Sequence, residues 1–222
     1  MYIVSKWWEL YTVNTVFVYN SYNILYWKKK MKLIGITGSI GCGKTTIADL
    51  IKKMGYIVFD ADKWCRNLYN QKDFLDVIKQ NFPHVFENGV FYKRKLRNYV
   101  FSNNKELKKL EAIIHPFLKK KLISVIKKNA KSDCLIFIEV ALLFEMGWNK
   151  YCSSIIVADV DYEIQKQRVM KRDNISAQDF EKIVSVQLNN DYKKTLSDYV
   201  IDTDKTINML KIELINLIEG LS

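Results

Sequence analysis

Two rhythms of apolar residues divide this chain. Five short runs are almost unbroken in hydrophobic character: KLIGIT at 32–37, YIVFDAD at 56–62, CLIFIEV at 134–140, SIIVADV at 154–160 and DYVID at 198–202. Strands buried on both faces read this way. Between them the spacing turns helical. TTIADLIKKMG at 45–55 predicts a helix that stops at Gly55, a residue suited to the left-handed turn that ends helices. From Lys105 to Lys128 the apolar positions Leu107, Leu110, Ile113, Ile114, Phe117, Leu118, Leu122, Val125 and Ile126 fall largely at helical intervals and are expected in the core. Pro116 should begin or kink a helix within that stretch. Parallel strands need a crossover to return the chain, so strands alternating with helices predict an α/β fold. The expected architecture is a three-layer sandwich around a parallel five-stranded sheet. Residues 63–132 carry no convincing buried strand and are expected as a helical insertion within one domain spanning 31–222.

Residues 1–30 break from this pattern. They are crowded with aromatics, and Leu10 to Trp27 carries no charge before Lys28, Lys29 and Lys30. That run is short for a spanning helix, and Thr12, Asn14, Thr15, Asn20, Ser21 and Asn23 would be costly in hydrocarbon. The basic cluster follows the apolar run, the reverse of a secretory signal. The segment is therefore read as an appended leader, with Met31 as the natural start.

Composition sets the remaining bounds. The 222 residues suit one compact domain with an insertion, and 49% hydrophobic residues with only two prolines describe an ordered globular chain. A net charge of +11 favours anionic partners, but its lysines are scattered and reflect compositional drift rather than a nucleic-acid patch. Cys42, Cys65, Cys134 and Cys152 are far apart and form no metal-binding spacing, so a reducing, cytoplasmic setting is expected. Cys42 is read as a small residue filling a small space.

The chemistry concentrates after the first strand. Gly38, Gly43, Lys44 and Thr45 satisfy G-x-x-x-x-G-K-[ST], with a predicted strand before and a helix after. Such a loop turns backbone N–H groups around an anion, adds the positive end of a helix dipole, supplies Lys44 to the outer phosphates and offers Thr45 to Mg²⁺. The loop Gly38, Ser39, Ile40, Gly41, Cys42, Gly43, Lys44, Thr45 and Thr46 is thus expected to hold a nucleoside triphosphate. Kinases, motors and switches all share that ability. In DAD, Asp60 to Asp62, one carboxylate at the carboxyl end of the second strand could take a proton from an alcohol; equally, Asp62 could cap the helix that follows. Arg168 and Arg172 are four apart on one helix face, where they either meet a polyphosphate or form a solvated basic face. Ser176 and Asp179 resemble a capping box that starts another helix, and a helical flap is expected over about 163–190.

Taken in order, GITGSIGCGKTT, FDADKWCR, YKRKLRNYVF, IIHP, EVALLFE, QRVMKRD, the VQ at 186–187 and DYVID resemble the dephospho-coenzyme A kinase family from about residue 32 to the end. The resemblance implies a P-loop kinase that uses ATP and Mg²⁺ to phosphorylate the ribose 3′-hydroxyl of dephospho-coenzyme A, the last step of coenzyme A synthesis. It implies Asp62 as the general base, Lys44 and the loop as the ATP site, and Arg168 as a lid arginine reaching the transferring phosphoryl, with Arg172 nearby. Arg94 and His115 would lie on the helical insertion and help form the acceptor site. No nucleic-acid or stable membrane partner is implied, and the chain is expected as a monomer or weak homo-oligomer. Other readings are a nucleoside monophosphate kinase, or a nucleotide-switched protein binding RNA or membrane. Three positions depart from the family pattern: Ser39 for glycine, Ala141 for proline before LLFE, and Thr203 for asparagine after VID. Glu139, at the end of the third predicted strand, either supports Mg²⁺ through water or serves structure alone.

Overall fold

The computed structural model describes residues 31–130 and 133–221. The expected leader at 1–30 lies outside them. Five parallel strands form the central sheet in the order β2-β5-β1-β6-β7. They are β1 (Lys32–Thr37), β2 (Ile57–Asp60), β5 (Leu135–Glu139), β6 (Ser154–Asp159) and β7 (Tyr199–Asp202). The five apolar runs of the sequence are these five strands.

Alternation along each strand feeds two cores. Leu33, Ile136, Ile138 and Ile155 face the layer built by the insertion. Ile34, Ile36, Phe137 and Ile156 face the opposite layer, α1 (Lys44–Lys53) and α9 (Ile207–Leu221). Ile34, Ile36, Ile47 and Ile51 are fully buried, and each such side chain contributes about 2 kcal/mol by leaving water. These contacts hold β1 and α1 rigidly at either end of the loop that joins them.

The insertion consists of α2 (Ala61–Leu68), α3 (Lys72–Asn81), a short hairpin, α4 (Lys93–Phe101) and α5 (Asn104–Asn129). The hairpin, β3 (Phe86–Glu87) with β4 (Val90–Phe91), corrects the expectation of an insertion built from helices alone. Its turn is Asn88-Gly89, both at positive φ, the dipeptide that two-residue hairpins favour. Pro116 opens no new helix; it lies inside the continuous α5. Beyond β6 come α6 (Tyr162–Asp173), α7 (Ala177–Ser185) and α8 (Asn190–Thr195). Ser176 caps α7 as expected, its hydroxyl accepting from the Asp179 amide and donating to the Asp179 carboxylate. Among the described residues no helix is long and apolar enough to cross a membrane.

Candidate active site

The phosphate loop emerges at the carboxyl ends of the strands, where open α/β sheets gather ligands. Its glycines are required by close approach. At Gly43, with φ of 84°, an added Cβ would come within 2.8–2.9 Å of three Thr203 side-chain atoms. At Gly41, with φ of 79°, it would come within 2.4 Å of Val169 on α6. The loop is thus pressed between the residue after β7 and α6. Gly41, Gly43, Lys44, Thr45, Thr46, Arg168, Arg172 and Thr203 line a cavity of about 500 Å³ with Lys205, Ile207 and Leu210. That volume falls in the range of small-ligand pockets. Its lining combines the cations Lys44, Arg168, Arg172 and Lys205 with apolar Ile207 and Leu210, chemistry that suits a polyphosphate joined to a flat base.

Lys44 is 8% exposed, and its Nζ donates to the Ser39 carbonyl at 2.9 Å. Burial pushes its pKa down, against the pull of nearby charge that includes Asp62 and Glu139. An ammonium held this way is a strong attractor for an anion, since a phosphate would replace lost hydration. Thr45 donates its hydroxyl to Glu139 Oε1 at 2.7 Å. Glu139 is 6% exposed, and burial raises its carboxyl pKa while the Thr45 bond lowers it. Among the described residues no three His, Cys, Asp or Glu side chains gather closely enough to hold a metal. The donors here, one hydroxyl and one carboxylate, suit Mg²⁺, which keeps waters and shares phosphate oxygens rather than sitting in an all-protein cage.

The DAD motif divides its labour in an unexpected way. Asp60 ends β2 and caps α2, accepting from the Lys63 amide at 2.7 Å. Asp62 is therefore not the cap, which removes one of its two readings. It stands exposed in the first turn of α2, crowded enough by protein that burial raises its pKa; Lys44 opposes the shift and Asp60 adds to it. A carboxylate reachable by solvent, unengaged by the cap and within the field of the loop lysine is suited to accept a proton beside a phosphate.

Arg168 and Arg172 both line the cavity, as their spacing on one helix face requires. Arg168 is not a solvated surface cation. Its Nη1 donates to Thr203 Oγ1 at 3.0 Å, and its Nη2 to the Thr203 carbonyl at 3.2 Å and Asp204 Oδ1 at 3.4 Å. Arg172 makes a two-pronged contact with Asp173, at 2.8 and 2.7 Å. Thr203, noticed in the sequence only as a departure, also donates to the Cys42 carbonyl at 3.0 Å and so ties Arg168 to the loop. Ala141 offers its carbonyl to the fully buried Lys193 at 2.9 Å. Cys42 is 1% exposed, and burial raises its thiol pKa, so it fills space within the loop. Ser39 and Ile40 belong to the loop, but their N–H groups point at side chains near α8. Arg94 and His115 sit on α4 and α5, away from the loop cavity.

Known proteins share this sequence and this fold. The family model for dephospho-CoA kinase matches residues 32–209. A dephospho-CoA kinase of Bartonella henselae is 35% identical over 194 residues, 86% of this chain and 98% of its own. One from Aquifex aeolicus is 38% identical over 180 residues, 80% of this chain and 91% of its own. A Thermus thermophilus protein of known crystal structure superposes with a TM-score of 0.76 at 29% identity, covering 87% of this chain and all of that one.

Proposed function

The chain belongs to the dephospho-CoA kinase family, and from that premise we propose how its residues divide the work of phosphorylating the ribose 3′-hydroxyl of dephospho-coenzyme A with ATP and Mg²⁺. The observation that carries the proposal is the grouping of Lys44, Thr45, Glu139 and Asp62 at the carboxyl ends of β1, β2 and β5, with Arg168 and Arg172 lining the same cavity as Lys44 and Thr45. The helix start of α1 and the buried Lys44 bind and orient the triphosphate, whose γ-phosphoryl needs placement and charge neutralisation more than covalent assistance. Thr45 would hold Mg²⁺ with Glu139 behind it, and the bound ion would supply charge neutralisation at the phosphates.

Asp62 orients the acceptor hydroxyl and takes its proton. Its raised pKa brings it nearer to the operating pH, where a general base is most effective. Arg168 exchanges its bonds to Thr203 and Asp204 for the transferring phosphoryl as the lid, about 163–190, closes over the site and excludes water. The insertion, about 63–132, supplies the acceptor site, with Arg94 and His115 as its basic contributors. The protein acts as a cytoplasmic enzyme, monomeric or weakly self-associating.

An acceptor panel tests the reading. Dephospho-coenzyme A should drive stoichiometric ADP formation, while nucleoside monophosphates should leave ATP consumption at background. ADP formation driven equally by a nucleoside monophosphate would overturn it.

A further inference from the structure

The VQ at 186–187 has no part in the chemistry above, yet the structure gives its glutamine a definite partner. The Ile40 amide donates to Gln187 Oε1 at 3.0 Å, and the Ser39 amide to Asn190 Oδ1 at 2.9 Å. Gln165 Nε2 donates to the Ile40 carbonyl at 2.6 Å. Three carboxamides from the lid side thus grip two consecutive residues of the phosphate loop. The orientation of Asn190 is fixed by chemistry: its oxygen meets an N–H, and its Nδ2 meets Asp159 Oδ1 at 2.6 Å and the Ala158 carbonyl at 3.3 Å.

This grip is itself anchored. Asp159 is also bound by Lys194 at 2.8 Å. The Leu188 amide donates to Glu145 at 3.0 Å, and the same carboxylate pairs with the buried Lys193 at 3.1 Å. The segment from 187 to 194 is therefore fastened to the end of β6 on one side and to the LLFE segment on the other.

We propose that Gln187 and Asn190 are positioning residues that hold the phosphate loop open for ATP, with Gln187 acting on Ile40 and Asn190 on Ser39. The inference rests on the reading that this loop binds ATP. A glycine-rich loop has many backbone conformations, and fixing two of its amides in advance lowers the entropy lost when phosphate arrives. The same bonds remove Ser39 and Ile40 from the phosphate cradle and leave that task to the amides from Gly41 onward. The choice of carboxamides is chemically specific: each accepts from an N–H as a carboxylate would, without adding negative charge beside a triphosphate.

Full-length Gln187→Met and Gln187→Glu test this. Methionine keeps length but lacks a comparable acceptor; glutamate keeps the acceptor and adds a titratable charge. With Gln187→Met, the ATP dissociation constant should rise about tenfold, the KM for dephospho-coenzyme A should stay within twofold, and the Ile40 amide should exchange faster by NMR. With Gln187→Glu, Ile40 should stay protected, and weakened ATP binding should recover relative to the parent as pH falls and the carboxylate is neutralised. Two results would overturn the proposal: ATP affinity within twofold of the parent for Gln187→Met, or equal losses in ATP and acceptor affinity with no change at Ile40. A parent chain that binds no ATP would overturn the nucleotide reading, and this proposal with it.

Discussion

Replacing Asp62 by asparagine separates proton transfer from folding because the two carboxylates of DAD do different things. Asp60 holds the α2 cap, so Asp62→Asn leaves that hydrogen bond intact. Burial and Asp60 disfavour the ionised form of Asp62, so Asp62→Asn should leave stability unchanged or slightly raised. With Asp62 as the proposed general base, its loss should cost about 10²-fold or more in kcat, equivalent to about 3 kcal/mol in the barrier. ATP binding should hold or tighten, because removing a negative charge near Lys44 leaves more positive potential for the phosphates. The control is Asp60→Ala, which should cost about 1 kcal/mol of stability through the lost cap while retaining most turnover. Steady-state ADP release, calorimetric ATP titration and urea unfolding give the three readouts. Turnover within threefold of the parent for Asp62→Asn, or an equal loss of turnover for Asp60→Ala at temperatures where both are folded, would refute the assignment.

Four further outcomes follow from the geometry. Gly43→Ala should lose ATP binding by more than tenfold in calorimetry, because its Cβ meets Thr203 at 2.8 Å and its φ of 84° disfavours any side chain. Glu139→Gln keeps an acceptor for the Thr45 hydroxyl, so stability should change little while the Mg²⁺ concentration needed for half-maximal rate rises about tenfold. Arg168→Ala should lower kcat more than ATP affinity, and Arg168→Lys should restore little, since an ammonium lacks the planar fork that reaches Thr203 and Asp204 together. Because Asp62 has a raised pKa and must be ionised to accept a proton, kcat/KM should fall with decreasing pH above the ordinary aspartate range, a limb that a pH–rate profile detects.

The strands were legible because buried parallel strands leave continuous apolar runs bounded by polar residues. The phosphate loop was legible because its chemistry depends on residues adjacent in the chain. The split within DAD was not: β2 passes into α2 with no linker, and only the hydrogen bond to Lys63 shows which acid is the cap. The hairpin at Asn88-Gly89 was written in the sequence, but strands of two residues leave no alternation to detect. Spacing put Arg168 and Arg172 on one face, yet it could not distinguish a solvated face from a site, since Thr203 is 35 positions away. Gln187 and Asn190 hold amides 147 and 151 positions away, contacts that no local pattern encodes.

The most direct test of the account is ³¹P NMR of the full chain incubated with Mg-ATP and dephospho-coenzyme A. The account predicts one new phosphomonoester resonance, coupled to the ribose 3′ proton and growing mole for mole with ADP. ATP consumed without that resonance, or a phosphomonoester at another position, would contradict it.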